Sequence, residues 1–216
     1  MEEKRLKKLI IAPHADDEVL GCGGILDDDS FVYFCGIDES KVSIVELDSP
    51  HRISLEERKK EIQKVSEFLG FKYKINMDTK VNHYNDSKAD LINIFEKLIN
   101  QLKPEMIFIP IPSYNQDHQI IYESLQVALR PHDRNFFVKK ILLYEQVHSI
   151  IWEHKNYAPN YFVPIDIERK LESYALHKSQ VRQFRSPETI RAIAKLRGAM
   201  SNLEYAEAFV IQRWIE

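Results

Sequence analysis

The 216-residue sequence has only two cysteines, Cys22 and Cys35. Two cysteines cannot build a disulfide framework, and a chain of this length buries enough apolar surface to fold without one. A reducing, cytoplasmic environment is therefore the simpler prediction. The charged segment 1–8 also lacks the apolar core that a signal peptide requires.

The sequence has no excess of either charge, since 30 Lys and Arg residues stand against 33 Asp and Glu residues for a net charge of −3. This balance argues against nucleic acid or an anionic membrane surface as a partner. No run approaches the roughly 18 apolar residues of a membrane span. Homo-oligomerisation stays open.

The chain also lacks internal repeats, low-complexity tracts and linkers, which predicts a single domain over residues 1–216. Short apolar or β-branched runs alternate with amphipathic segments. The predicted strands cover residues 9–12, 31–37, 71–76, 106–110, 138–144 and 208–215. The alternation predicts an α/β, Rossmann-like, three-layer fold with a mainly parallel sheet between helices.

Local signals mark several helix ends. Ser54 and Glu57 form a capping box, and Gly70 is placed to end the helix that follows. Ser113 and Gln116 resemble a second capping box. Further helices are predicted over 18–27 and 166–178 and after residue 186, where Ser precedes Pro. The region 148–164 is rich in aromatic residues, Asn and Pro, and is predicted to be an irregular loop.

The most informative segment, residues 12–21, follows the first predicted strand and contains His14, Asp16 and Asp17. Ligands bind at the carboxyl ends of strands in open α/β sheets. A catalytic zinc needs three protein ligands and an open position. His118 follows the strand 106–110, so His14, Asp17 and His118 could converge on one ion. Asp16 would then be free to accept a proton from a water that the metal activates.

The segment 13–18, followed by three glycines, resembles the signature of the LmbE-like or PIG-L family of zinc-dependent N-acetylglucosaminyl deacetylases. Further stretches resemble family motifs in the same order, namely 57–61, 69–70, 116–119, 130–131, 144–145, 164–167 and 177–180. The resemblance therefore spans nearly the whole chain. It implies that His14, Asp17 and His118 bind zinc and that Asp16 is the general base.

The chain departs from this family at Asn115. In the family the second motif usually begins with a histidine that helps to stabilise the oxyanion or acts as the general acid. Asparagine can donate a hydrogen bond but cannot shuttle a proton. Asp16, once protonated, could return its proton to the leaving amine. His177 is a second candidate for the acid, unless it is a structural hydrogen-bonding residue. Arg58 and Asp117 are the candidate substrate-binding residues. The alternative for Arg58 is a solvated pair with Glu61.

The sequence therefore predicts a zinc-dependent hydrolase that removes an N-acetyl group from an amino-sugar derivative, either a glycoside or a nucleotide sugar. One alternative is a zinc- and sugar-binding module whose catalysis is weakened, as Asn115 would allow. Another is a nucleotide-binding Rossmann-like protein without metal, although the glycines at 21, 23 and 24 lack the dinucleotide spacing. Iron or cobalt could occupy the same ligands.

Overall fold

A computed structural model describes residues 6–37, 53–79, 81, 84–152 and 158–216. The strands are β1 (Lys8–Ala12), β2 (Ser30–Phe34), β3 (Lys72–Ile75), β4 (Met106–Pro110), β5 (Lys140–Tyr144), β6 (Tyr161–Pro164) and β7 (Ala206–Trp214). The helices are α1 (Asp17–Cys22), α2 (Leu55–Leu69), α3 (Lys88–Leu102), α4 (Gln116–Ala128), α5 (Val147–Ile151), α6 (Ile167–Leu176) and α7 (Pro187–Met200). Among the described residues, no helix is long and apolar enough to cross a membrane.

All seven strands form one sheet in the order β3-β2-β1-β4-β5-β7-β6. Strands β1 to β5 are parallel, whereas β7 runs antiparallel to both β5 and β6. The predicted mainly parallel α/β fold is therefore confirmed. The strand order reverses at β1, which has β2 on one side and β4 on the other. Such a switch point opens a crevice at the carboxyl ends of the strands.

Strand β1 is buried on both faces, which explains its continuous apolar sequence. Leu9 and Ile11 belong to a core cluster that includes residues of α3 and α4. Ile10 and Ala12 belong to the cluster on the opposite face, which includes residues of α1, α2, α6 and α7. The side chains alternate because successive strand residues point to opposite faces. The helices therefore form one layer on each side of the sheet.

Local capping signals fixed most helix starts. The capping box of Ser54 and Glu57 is present at α2, and Gly70 ends that helix in the left-handed conformation, with φ 89°. Ser186 caps α7 as predicted. The predicted box at Ser113 is wrong, because α4 begins two residues later. There the side chain of Asn115 accepts a hydrogen bond from the Asp117 amide.

Two parts of the chain differ from the prediction because tertiary contacts decide them. The helix predicted over 18–27 ends at Cys22, and the Gly24 amide donates instead to Glu207 Oε1 at 2.7 Å. The region 148–164 is not wholly irregular. It contains most of α5 and all of β6, which pairs with β7 at the edge of the sheet. Residues 153–157 lie outside the described ranges.

Gly21 lets α1 approach the sheet closely. A Cβ atom at this position would lie 2.2 Å from Cδ2 of Tyr144. The buried Tyr144 hydroxyl donates to the Ile11 carbonyl at 2.7 Å, so the ring cannot easily move. Close packing therefore explains this glycine, and the loop that follows β1 is held against β5.

Candidate metal centre

Two adjacent connections at the carboxyl ends of the strands, after β1 and after β4, supply the candidate site. His14 lies in the loop after β1, and Asp17 is the first residue of α1. His118 lies in the first turn of α4, after β4. Since β1 and β4 are parallel neighbours, their carboxyl ends bring these three side chains to one place. Residues separated by about a hundred positions in the sequence thus become neighbours.

Three potential ligand atoms form a nearly equilateral triangle. Asp17 Oδ2 lies 3.3 Å from His14 Nδ1 and 3.2 Å from His118 Nε2. The third side, from His118 Nε2 to His14 Nδ1, is 3.3 Å. In a tetrahedral zinc site with bonds of about 2.0–2.1 Å, two ligand atoms stand about 3.3 Å apart. The triangle therefore fits one face of such a site, which leaves the fourth position open.

Contacts behind the triangle fix the His14 ring. Its Nε2 lies 3.0 Å from Oδ2 of Asp117, a carboxylate that is 0% exposed. Tyr84 stacks on the same ring with centroids 6.4 Å apart, and the Tyr84 hydroxyl donates to the Pro13 carbonyl. A carboxylate bound to the outer nitrogen of a histidine is the usual support of a metal ligand. Asp117 thus contacts a candidate ligand.

The electrostatics of this cluster favour a cation. Burial opposes the charged form of His14, but hydrogen bonds with Asp117 and Asp17 outweigh it and raise its pKa to about 10. Burial likewise opposes the charged form of Asp17, yet His118 and His14 lower its pKa well below the usual range. Two buried carboxylates are therefore poised to balance positive charge, which a divalent metal ion would supply.

Asp16 has an unusual backbone conformation for a residue with a side chain. Its φ is 122° and its ψ is −25°. Such a conformation costs on the order of 1–3 kcal/mol and persists only where surrounding contacts enforce it. Here the Asp16 amide donates to Oε2 of the buried Glu18 at 2.9 Å, and its carbonyl accepts from Val19 and Leu20. The strain lies beside the three candidate ligands.

The side chain of Asp16 makes a contact of its own with Arg185. Its Oδ2 pairs with Nη1 of Arg185 at 2.9 Å. Burial raises the pKa of Asp16 to about 6, although the charge of Arg185 opposes the shift. The two adjacent carboxylates, Asp16 and Asp17, therefore serve different partners. A buried carboxyl of this kind can both accept and return a proton near neutral pH.

His177 lies behind the Asp16 loop and is 0% exposed. Its Nε2 is 2.6 Å from Oε1 of Glu18, and the other oxygen of Glu18 holds the Asp16 amide. Burial disfavours its charged form, but Glu18 outweighs this and raises the pKa of His177. His177 therefore contacts Glu18, the residue that holds the Asp16 amide, and so helps to position the loop that contains Asp16.

Arg58 lies on α2 and is only 4% exposed, so the interpretation as a solvated surface residue is wrong. Glu61, one turn further along α2, accepts hydrogen bonds from the amide and hydroxyl of Ser179. Ser179 follows His177 closely in the chain. Helix α2 is therefore joined to the segment that supports the Asp16 loop.

Asn115 caps the helix that carries His118, and the ring of His148 lies next to that of His118. Asn115 is half-buried, and its Oδ1 accepts from the Asp117 amide at 2.9 Å. The ring of His148, on α5, stands 5.3 Å from that of His118 at an angle of 77°. Its Nε2 lies 3.0 Å from Ser113 Oγ. Burial lowers the pKa of His148 to about 4, so its imidazole is neutral at pH 7.

Sequence reasoning missed two residues of this site, His148 and Arg185. His148 had a usable signal, because it follows β5, the parallel neighbour of β4. Strand order would have placed it at the same edge. Arg185 had no such signal, since it lies in a short 3-10 turn far along the chain. Only tertiary packing brings its guanidinium to Asp16.

The sequence of residues 9–129 matches the profile of the PIG-L family, described as GlcNAc-PI de-N-acetylase. This match covers more than half of the chain and includes all three candidate metal ligands. The chain therefore belongs to the PIG-L family, and membership supports a hydrolytic deacetylase. No curated protein matches the sequence as a relative.

Several solved structures are similar to this chain. A conserved protein from Thermus thermophilus has 22% identity and a TM-score of 0.76, with 98% of this chain and 96% of that chain covered. The N,N'-diacetylchitobiose deacetylase of Pyrococcus horikoshii has 24% identity and a TM-score of 0.64, with 96% and 84% covered.

A third similar structure is named for a different reaction. The 4-carboxy-2-hydroxymuconate hydratase GalB from Pseudomonas putida has 17% identity and a TM-score of 0.73, with 97% of this chain and 98% of that chain covered. At such identities the likeness concerns the fold alone. Because one fold carries more than one reaction, the reaction of this chain has to be argued from its site.

Proposed function

We propose that this chain is a zinc-dependent hydrolase that removes the N-acetyl group of an amino-sugar derivative, either a glycoside or a nucleotide sugar. The observation that carries the proposal is the triangle of His14 Nδ1, Asp17 Oδ2 and His118 Nε2, with sides of 3.2–3.3 Å. Membership of the PIG-L family supports the amide hydrolysis.

In this proposal His14, Asp17 and His118 hold the zinc. When bound, zinc supplies Lewis acidity and makes water a nucleophile near neutral pH. Asp117 keeps the His14 ring in position through the 3.0 Å contact with Nε2. We therefore assign Asp117 to the support of the metal site, where its complete burial fits better than direct contact with a substrate.

Asp16 is the proposed general base. Its carboxylate takes the proton of the attacking water as the new C–O bond forms. It then gives this proton to the amide nitrogen as the C–N bond breaks, which releases the free amine and acetic acid, and the acid loses its proton to solvent. The pair with Arg185 at 2.9 Å and the strained backbone hold the carboxylate in one orientation. Such fixed orientation is a major part of acid–base catalysis.

We assign His177 and Glu18 to positioning. They form a buried pair at 2.6 Å that holds the Asp16 amide, and no described contact links His177 to the triangle. Arg58, by contrast, stays a candidate for substrate binding. It lies on α2, which is joined to the segment behind the Asp16 loop, and its guanidinium could bind an anionic or hydroxyl group of a substrate.

The test is metal content of the purified protein together with amine release from N-acetylglucosamine derivatives. We expect about one zinc per chain, as one set of three ligands predicts. Asp16→Asn should keep zinc and lose amine release, whereas His118→Ala should lose both. Stoichiometric zinc in His118→Ala would reject the ligand set, and loss of zinc in Asp16→Asn would reject the separation of base from ligand.

Asn115 favours a second candidate function, a zinc- and sugar-binding module with weak catalysis. Its carboxamide oxygen is occupied by the cap of α4, so only its NH2 group could serve a substrate. The variant Asn115→His separates the two candidates. A large gain in turnover would favour weakened catalysis in the natural chain. If the wild type is active and turnover in the variant is unchanged or lower, another group stabilises the oxyanion or supplies the acid.

A further inference from the structure

Amide hydrolysis needs a hydrogen-bond donor where negative charge develops on the carbonyl oxygen. Two other donors in this part of the structure are partly engaged. The carboxamide oxygen of Asn115 caps α4, which leaves its NH2 group, and Arg185 pairs with Asp16 through Nη1 and donates to Gln180 through Nη2. We propose that His148 donates this hydrogen bond from Nδ1. The inference rests on the proposed function, and it assigns a catalytic role to a residue outside the metal-binding motifs.

The position of His148 supports this role. Helix α5 follows β5, so His148 lies at the same sheet edge as the loops after β1 and β4. Its ring meets that of His118 edge to face with centroids 5.3 Å apart, and the centroid of the Trp152 ring lies 6.5 Å from that of His148. The imidazole of His148 therefore packs against the candidate ligand His118 and is still partly exposed to solvent.

A hydrogen bond with Ser113 selects the ring nitrogen that carries the proton in this proposal. The Asn115 amide donates to Ser113 Oγ at 3.2 Å, and the hydroxyl still has its own proton to donate. Nε2 of His148 lies 3.0 Å from this oxygen, and in the proposed tautomer it accepts that hydrogen bond. The neutral ring then carries its hydrogen on Nδ1. No residue in the described ranges forms a hydrogen bond with Nδ1, so this N–H is available to a substrate.

This assignment makes Ser113 a positioning residue. Its hydroxyl joins the loop after β4, which leads into the helix that carries His118, to the helix after β5, which carries His148. The donor and the candidate metal ligands are therefore held at fixed separation. Fixed donors contribute more to transition-state stabilisation than mobile ones, because they need no reorganisation during the reaction.

The first test compares His148→Phe with His148→Gln in zinc-loaded protein. Phenylalanine keeps the ring packing but removes the donor. We expect kcat to fall about 10²–10³-fold in His148→Phe, with KM changed by less than about threefold and zinc content unchanged. Glutamine keeps an N–H group and should recover part of the loss. The control His132→Phe alters a histidine at the opposite sheet edge and should leave kcat unchanged.

A second test needs neither substrate nor turnover. NMR spectra of isotope-labelled histidine side chains report which nitrogen of a neutral ring is protonated. We expect the Nδ1–H form at His148 in the wild type and a mixture of tautomers in Ser113→Ala. A wild-type ring protonated on Nε2 would overturn the assignment of the donor.

The outcomes separate the inference from the function on which it rests. An active wild type with equal kcat in His148→Phe would overturn the role of His148 and leave the deacetylase proposal standing. A zinc-loaded wild type that releases no amine from N-acetylated sugars would overturn both. A fall in kcat with loss of zinc would also overturn the inference, because it would show a structural role.

Discussion

Asp117→Asn distinguishes two roles for a residue that the sequence alone assigns to substrate binding. The substitution preserves shape but removes the charge that faces Nε2 of His14 at 3.0 Å. A hydrogen bond to a charged group contributes about 1.5–3 kcal/mol, against about 0.5–1.5 kcal/mol for a neutral one. Because Asp117 is 0% exposed, solvent does not screen this difference.

The expected loss is therefore about 1–1.5 kcal/mol of zinc binding, which is about a tenfold rise in the zinc Kd. This agrees with the roughly 10–100-fold effect of removing a partner of a metal-bound histidine. Competition with a chromophoric zinc chelator measures the Kd directly. Asp133→Asn is the matched control, because Asp133 is exposed and follows α4 at the opposite edge of the sheet.

The two roles give opposite kinetic patterns. If Asp117 supports His14, the variant saturated with zinc keeps its KM, and activity is lost mainly at limiting zinc. An unchanged zinc Kd together with a raised KM would refute the support role and restore the original assignment to substrate binding.

Three further predictions concern the metal and the packing that positions the site. Removal of zinc with a chelator should abolish amine release, and zinc at about 100 times its Kd should raise the free energy of unfolding by about 2.7 kcal/mol in thermal or urea unfolding; full activity without metal would contradict the proposed chemistry. Lys170→Met should lower the free energy of unfolding by about 3–5 kcal/mol, because it removes the ammonium group that lies 2.6 Å from the buried carboxylate of Glu207. A urea midpoint equal to that of wild type would refute this. Gly21→Ala should lower the free energy of unfolding by about 1–3 kcal/mol through overpacking against Tyr144, and kcat should fall with it; a stable variant of normal activity would show that the contact is dispensable.

The amino-acid sequence was sufficient for the periodic elements and for the three candidate ligands. Strand β1 could be predicted because a strand buried on both faces is apolar throughout. Helices α2 and α7 could be predicted because their capping residues are local in the chain. His14, Asp17 and His118 could be predicted as metal ligands because each lies in a short segment that resembles a family motif.

Tertiary structure alone decided the surroundings of those ligands. His148 and Arg185 reach the site, and His177 reaches Glu18, through strand order and loop packing, which involve residues far apart in the chain. Local sequence patterns cannot specify such contacts, because they record neighbours within a few residues. For the same reason β6 was missed, since it is a strand only through its pairing with β7. The sequence determined which side chains could bind a metal, and packing determined what stands beside them.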